Sequence, residues 1–108
     1  MRSSRIVARK RAEQDIDEAL AFYLAEAGGQ VALGFIDALE QCYRRISESP
    51  SAGSSRYAHE LDLPALKSRT LTGYPYLVFY VQRTDHIDVW RVLHAASDIP
   101  AWLINEGP

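Results

Sequence analysis

Between Tyr74 and Gln82 the chain leaves almost no polar position on either face of a strand. Tyr74, Tyr76, Val78 and Tyr80 alternate with Leu77, Phe79 and Val81. A strand apolar on both faces belongs at the centre of a sheet, covered above and below. A second run rich in β-branched and aromatic residues follows, from Ile87 to Leu93. Only Arg83-Thr84-Asp85-His86 lies between them, so the two runs form an antiparallel hairpin. One face must meet helices from the same chain. The tyrosine-bearing face calls for a further cover, and the expectation is that a partner supplies it.

The helices lie upstream. Arg11 to Ala27 carries Ala12, Ile16, Leu20, Tyr23 and Ala27 at helical spacing, with Glu13, Asp17 and Glu18 off that stripe. Gly28-Gly29 ends it. Gln30 to Ser49 repeats the pattern through Val31, Phe35, Ala38, Leu39, Cys42 and Ile46, and Pro50 stops it. A glycine joint between two amphipathic helices makes an antiparallel pair whose stripes fall on the sheet.

Before them, Arg5 to Arg9 alternates as a short basic edge strand, and its place in the strand order stays open. Pro50 to Pro64 is rich in turn residues, with a short helical turn near Tyr57 to Leu61. Ala65 to Thr72 reads as a strand with Lys67 and Arg69 on one face. The Ile87–Leu93 strand changes phase along its length, which a bulge near Trp90 would resolve. Asp98 caps a short final helix through Trp102 and Leu103. The fold class is therefore α+β, in the order β-α-α-β-β-β, with a helical hairpin on a small, mostly antiparallel sheet and a short C-terminal helix. The whole chain, 1–108, makes one domain.

Charge narrows the function. The net charge is −2, which disfavours general binding to a polyanion, so direct nucleic-acid contact is not expected. Arg2, Arg5, Arg9, Lys10 and Arg11 do concentrate at the N-terminus, and they read as a solvated strand and helix start. One cysteine excludes an internal disulfide and zinc spacing, which suits the cytoplasm. Cys42 lies on a helical stripe and reads as a small buried hydrophobe. No run is long enough to span a membrane, and no metal or cofactor motif appears. His59 and His86 fall in a loop and a turn. His94 and Asp98 make either a base with its orienting acid or a local bond fixing the chain's exit from the sheet.

Lys67, Arg69 and Arg91 have two readings. They are solvated strand ends, or they converge to stabilise a phosphorane in metal-free RNA cleavage, with His94 moving a proton.

Taken in order, the basic first strand, the A-x-x-D-I start of the first helix (Ala12, Asp15, Ile16), "GFIDALEQCYRRISESPSAG", "YPYLVFY" and "RVLHAASDIP" resemble the RelE/ParE superfamily of bacterial type II toxins, nearest the ParE branch. The resemblance runs from Ile6 to about Leu103. It implies a small cognate antitoxin, a toxin–antitoxin hetero-oligomer, growth inhibition without a cofactor, and DNA gyrase as target. The RelE branch instead implies a messenger-RNA endonuclease, for which Lys67, Arg69, Arg91 and His94 are the candidates. On the ParE reading there is no catalytic set, and Tyr74, Tyr76, Tyr80, Lys67, Arg69 and Arg91 are the candidates for binding antitoxin or target. The family commonly has arginine where this chain has Ser97. That departure admits a third reading, a binding module that keeps the fold without toxicity.

Overall fold

The computed structural model describes residues 4–104 and 106. Arg2 of the basic arm lies outside the described residues. The elements run β1 (Arg5–Ala8), α1 (Lys10–Glu26), α2 (Gly29–Glu48), a 3-10 turn (Pro50–Ala52), α3 (Arg56–Leu61), β2 (Leu66–Thr70), β3 (Tyr76–Gln82), β4 (His86–His94) and α4 (Ile99–Leu103). The sheet order is β1-β4-β3-β2. β2, β3 and β4 form the expected antiparallel meander, and β1 joins β4 in parallel. The α+β class and the order of elements agree with the sequence.

The α1–α2 joint works as a backbone device. Ala27 and Gly28 both donate their N–H to the Tyr23 carbonyl, and Gly28 adopts φ +91°, which a side chain would resist. The helices then fold back on each other and lay Ala12, Ala19, Phe35, Ala38, Leu39, Cys42 and Ile46 on the sheet.

Register explains the phase of β4. Phe79 pairs with Arg91, but the next residue, Tyr80, pairs with Val89. Trp90 is therefore the extra residue of a bulge, as the sequence suggests. Ile87, Val89 and Val92 face the helical hairpin, whereas Trp90 and Leu93 join Phe79 and Val81 on the other side.

The covering of the tyrosine face corrects the sequence reading. Val78 and Tyr80 are fully buried under α1 and α2, with Tyr74 and Tyr76 half-buried against the same core. The chain seals that face itself. Tyrosine permits this because its ring is apolar and its hydroxyl needs only one partner at the rim. The Tyr80 hydroxyl donates to the Pro50 carbonyl at 2.6 Å and the Tyr74 hydroxyl to the Val31 carbonyl at 2.7 Å. The opposite face is covered by α3 and α4, through Tyr57, Ala58, Ile99 and Leu103. The loop between α2 and β2 is thus a working part of the core. Ser54 bridges Ser68 on the outer edge of β2 and ties it down.

Other details depart by a turn of helix or less. Val31 and Ala27 are exposed, and Ala32 and Ala19 take the buried positions nearby. Arg9 is drawn from the supposed solvated arm into a charge cluster over Trp90.

Candidate functional site

β1 is shorter than β4 and ends at Ala8, opposite Val89. Beyond that point the edge of β4 has no neighbouring strand, and α1 lies beside it. A groove of about 470 Å³ opens there, lined by Arg11, Asp15, Phe22, Tyr76, Arg91, His94 and Trp102 among others. It brings together three of the sequence-derived candidates, Tyr76, Arg91 and His94.

Asp15 closes the backbone edge. Its Oδ2 accepts the Val92 N–H at 3.0 Å, in the place a next strand's carbonyl would take. The same carboxylate accepts Arg91 Nε and Nη2, both at 2.7 Å. The Arg91 side chain is only 4% exposed, and these bonds push its pKa further above the ordinary arginine value. Trp102 lies over the guanidinium at 5.1 Å, and the Glu106 carboxylate approaches Nη1 at 3.6 Å. Arg91 is thus a neutralised part of the frame.

A second cluster lies further along β4. Asp88 accepts from Arg9, Arg83 and the Trp90 indole at 3.0–3.2 Å. Burial works to raise its carboxyl pKa, but the bonds from Arg9 and Arg83 outweigh it and hold the group below its ordinary value. Glu106 links the clusters, since its backbone carbonyl accepts from Arg9 at 3.1 Å.

The remaining candidates separate. His94 ends β4 exposed, with its ring edge-on to Tyr76 at 5.1 Å between centroids. Its Nδ1 accepts the Ala96 N–H, whereas Asp98 accepts the Ala101 N–H as the cap of α4. The two serve separate turns. Ser97 lines the groove and donates to the His94 carbonyl, so it too shapes the exit from the sheet. Burial pushes the pKa of Tyr76 upward, as it does for Tyr80.

Lys67 and Arg69 lie across the sheet. They pair with Tyr80 and Val78 and so share the hairpin side of β2, whereas Arg91 pairs with Phe79 on the other side of the sheet. Lys67 Nζ donates to Ser55 Oγ at 2.8 Å. Lys67, Arg69, Arg91 and His94 therefore do not gather around one pocket. No group of His, Cys, Asp and Glu that could hold a metal ion occurs among the described residues, and no helix is long and apolar enough to cross a membrane.

Sequence reasoning missed Asp15, Phe22 and Trp102. Asp15 was visible in the A-x-x-D-I pattern, and its distance in sequence from Arg91 hid the pairing. Phe22 is 57% exposed and Trp102 46%, in the lining of the groove. Their signal is a large apolar residue off the buried stripe.

Comparison with known proteins agrees with this architecture. Among solved structures, a chain of the chromosomal ParDE toxin–antitoxin system from P. aeruginosa superimposes with a TM-score of 0.71 at 16% identity, covering 85% of this chain and 96% of that one. No curated protein gives a significant match. The profile of the family described as the ParE toxin of the type II toxin–antitoxin system parDE matches residues 6–99, from the first strand to the opening of α4. A match of that extent settles the family, and this chain belongs to the ParE toxins of type II toxin–antitoxin systems.

Proposed function

We propose that the protein is a cytoplasmic, non-enzymatic toxin that binds DNA gyrase and is silenced by a cognate antitoxin. Family membership supports the system class. The observation that carries the non-enzymatic reading is the placement of Lys67 and Arg69 on one side of the sheet and Arg91 on the other. Metal-free RNA cleavage needs cations and a proton-transfer group converging on one phosphate. Here Arg91 is committed to Asp15, and His94 stands apart from the β2 cations.

The groove beside α1 is the proposed seat of the antitoxin. Its lining includes the exposed Phe22, Trp102 and His94 and the half-buried Tyr76. Leu24 and Leu33 are further exposed apolar residues of the helical hairpin. An amphipathic antitoxin helix would bury such anchors. Tyr76 stays a binding candidate in the groove, and Tyr74 at the rim of the hairpin. Tyr80 supports the fold from within. Gyrase as target rests on the resemblance to the ParE branch.

The test is gyrase supercoiling with the purified toxin, with and without the product of the adjacent open reading frame. Inhibition by toxin alone, relieved by that product, is the expected result. Normal supercoiling at a large excess of toxin overturns the choice of target. Phe22→Asp and Trp102→Asp should weaken capture of the antitoxin by tenfold or more, since loss of a buried aromatic anchor typically removes about 2 kcal/mol.

A further inference from the structure

We propose that the outer edge of β2 carries a phosphate-binding site for a nucleic-acid backbone, built by Arg45, Arg56 and Arg69. These residues line a pocket of about 450 Å³ together with Ser54, Thr70 and Thr72, and no acidic residue lines it. Arg45 stands in the last turn of α2 and Arg69 on β2, half-buried. Neither side chain forms an ion pair or hydrogen bond among the described residues. Arg56 makes only a long, exposed contact of 3.7 Å with Glu60 and lies over the Tyr57 ring at 5.1 Å.

The contrast within this chain is what points to a ligand. Around β4 the buried Arg91 is answered by Asp15, and the half-buried Arg9 and Arg83 are answered by Asp88. At β2 three guanidiniums border one concavity, and among the described residues neither Arg45 nor Arg69 has a carboxylate partner, while Arg56 has only the long exposed contact with Glu60. Like charges held together this way repel unless an anion joins them, and guanidinium forks fit phosphate oxygens with two parallel bonds. Hydroxyls and backbone N–H groups complete such sites. The sheet offers both. Ser68 exchanges its two backbone bonds with Ser54 on the outer side, so Thr70, two residues on, also turns its N–H outward beyond the end of that bridge. A net charge of −2 conceals this, because no acid is among the residues that line the pocket.

The proposal is independent of the gyrase reading and is tested without gyrase. Fluorescence anisotropy would follow a labelled DNA duplex and a single-stranded RNA of the same sequence at several salt concentrations. A thermal shift with inorganic phosphate forms the third arm. The expected result is weak binding to one or both oligonucleotides. The slope of log K against log salt should be about −2 for a single strand to about −2.7 for duplex, as for three neutralised phosphates. Arg45→Gln/Arg69→Gln should weaken binding at least tenfold and leave the melting temperature within a few degrees. Arg5→Gln/Lys10→Gln, an equal charge change on the β1 side, should keep it. Binding to DNA only or RNA only names the natural source of the phosphate. No oligonucleotide binding at low salt, a response to inorganic phosphate alone, or equal losses in both double variants would overturn the proposal.

Discussion

The Tyr80 hydroxyl occupies the space that a side chain on Gly53 would need. A Cβ built on Gly53 would clash with that hydroxyl and would also lie 3.1 Å from both the Lys67 Cβ and the Ser68 carbonyl. Tyr80 cannot retreat, because it is fully buried and bonded to Pro50. Gly53→Ala should therefore cost about 1–3 kcal/mol, the usual range for overpacking. Gly34→Ala is the informative contrast. There the obstruction is the hydroxyl end of half-buried Tyr74, which has room to swing outward. Urea denaturation should rank Gly53→Ala well below Gly34→Ala in stability. Adding Tyr80→Phe to Gly53→Ala should recover part of the loss, and strictly additive costs would refute the account.

Asp15 and Arg91 form a largely buried structural pair, and a double-mutant cycle separates that from a surface contact. Asp15→Ala strands a guanidinium that is nearly inaccessible and orphans the Val92 N–H. Breaking a buried pair from one side typically costs about 3–5 kcal/mol. Arg91→Met should be milder, because Asp15 keeps its bond to the Val92 N–H. The double variant should be less destabilised than the two single costs added, by about 1–3 kcal/mol in equilibrium denaturation. A coupling near zero would show that the pair contributes nothing specific.

Periodicity made the fold legible, because each element's pattern is local. The hairpin, the glycine joint and the Trp90 bulge all follow from neighbours in sequence. The cover of each sheet face was not legible, since Tyr74, Tyr76 and Tyr80 read equally well as buried rings or as a docking surface. Only the hydroxyl partners Val31 and Pro50, far away in the chain, decide between the two. For the same reason Lys67, Arg69 and Arg91 could be read either as solvated strand ends or as convergent. Which face each strand residue takes depends on register and on the bulge, and the pairing of Phe79 with Arg91 put that arginine on the far side. Asp15 was seen as part of a motif but could not be assigned a partner 76 residues away.

Cys42 is buried, with its Sγ 4.0 Å from the Arg69 carbonyl, and burial pushes its thiol pKa up to about 11. The thiolate is the reactive form, so the native protein should resist an aromatic disulfide reagent at pH 8. Unfolding in urea should restore the labelling rate of a free thiol. Fast labelling of the native protein at neutral pH would contradict the packing of α2 against β2.

Asp88 predicts how stability depends on pH. Its folded pKa lies below the unfolded value of about 4. At pH above that unfolded value the group is ionised in both states, and its bonds to Arg9 and Arg83 stabilise the fold. As pH falls toward and through the folded pKa, the native carboxylate must take up a proton and the contribution is lost. Asp88→Asn removes the charge at every pH and leaves Arg9 and Arg83 facing each other. The variant should therefore melt clearly below the wild type at pH 7. The gap should shrink steadily below about pH 4, as the wild type loses what the variant already lacks. Thermal unfolding of both proteins from pH 7 down to pH 3 provides the measurement. A gap that is constant across that range would mean that Asp88 acts through shape and hydrogen bonding alone, with its charge contributing nothing.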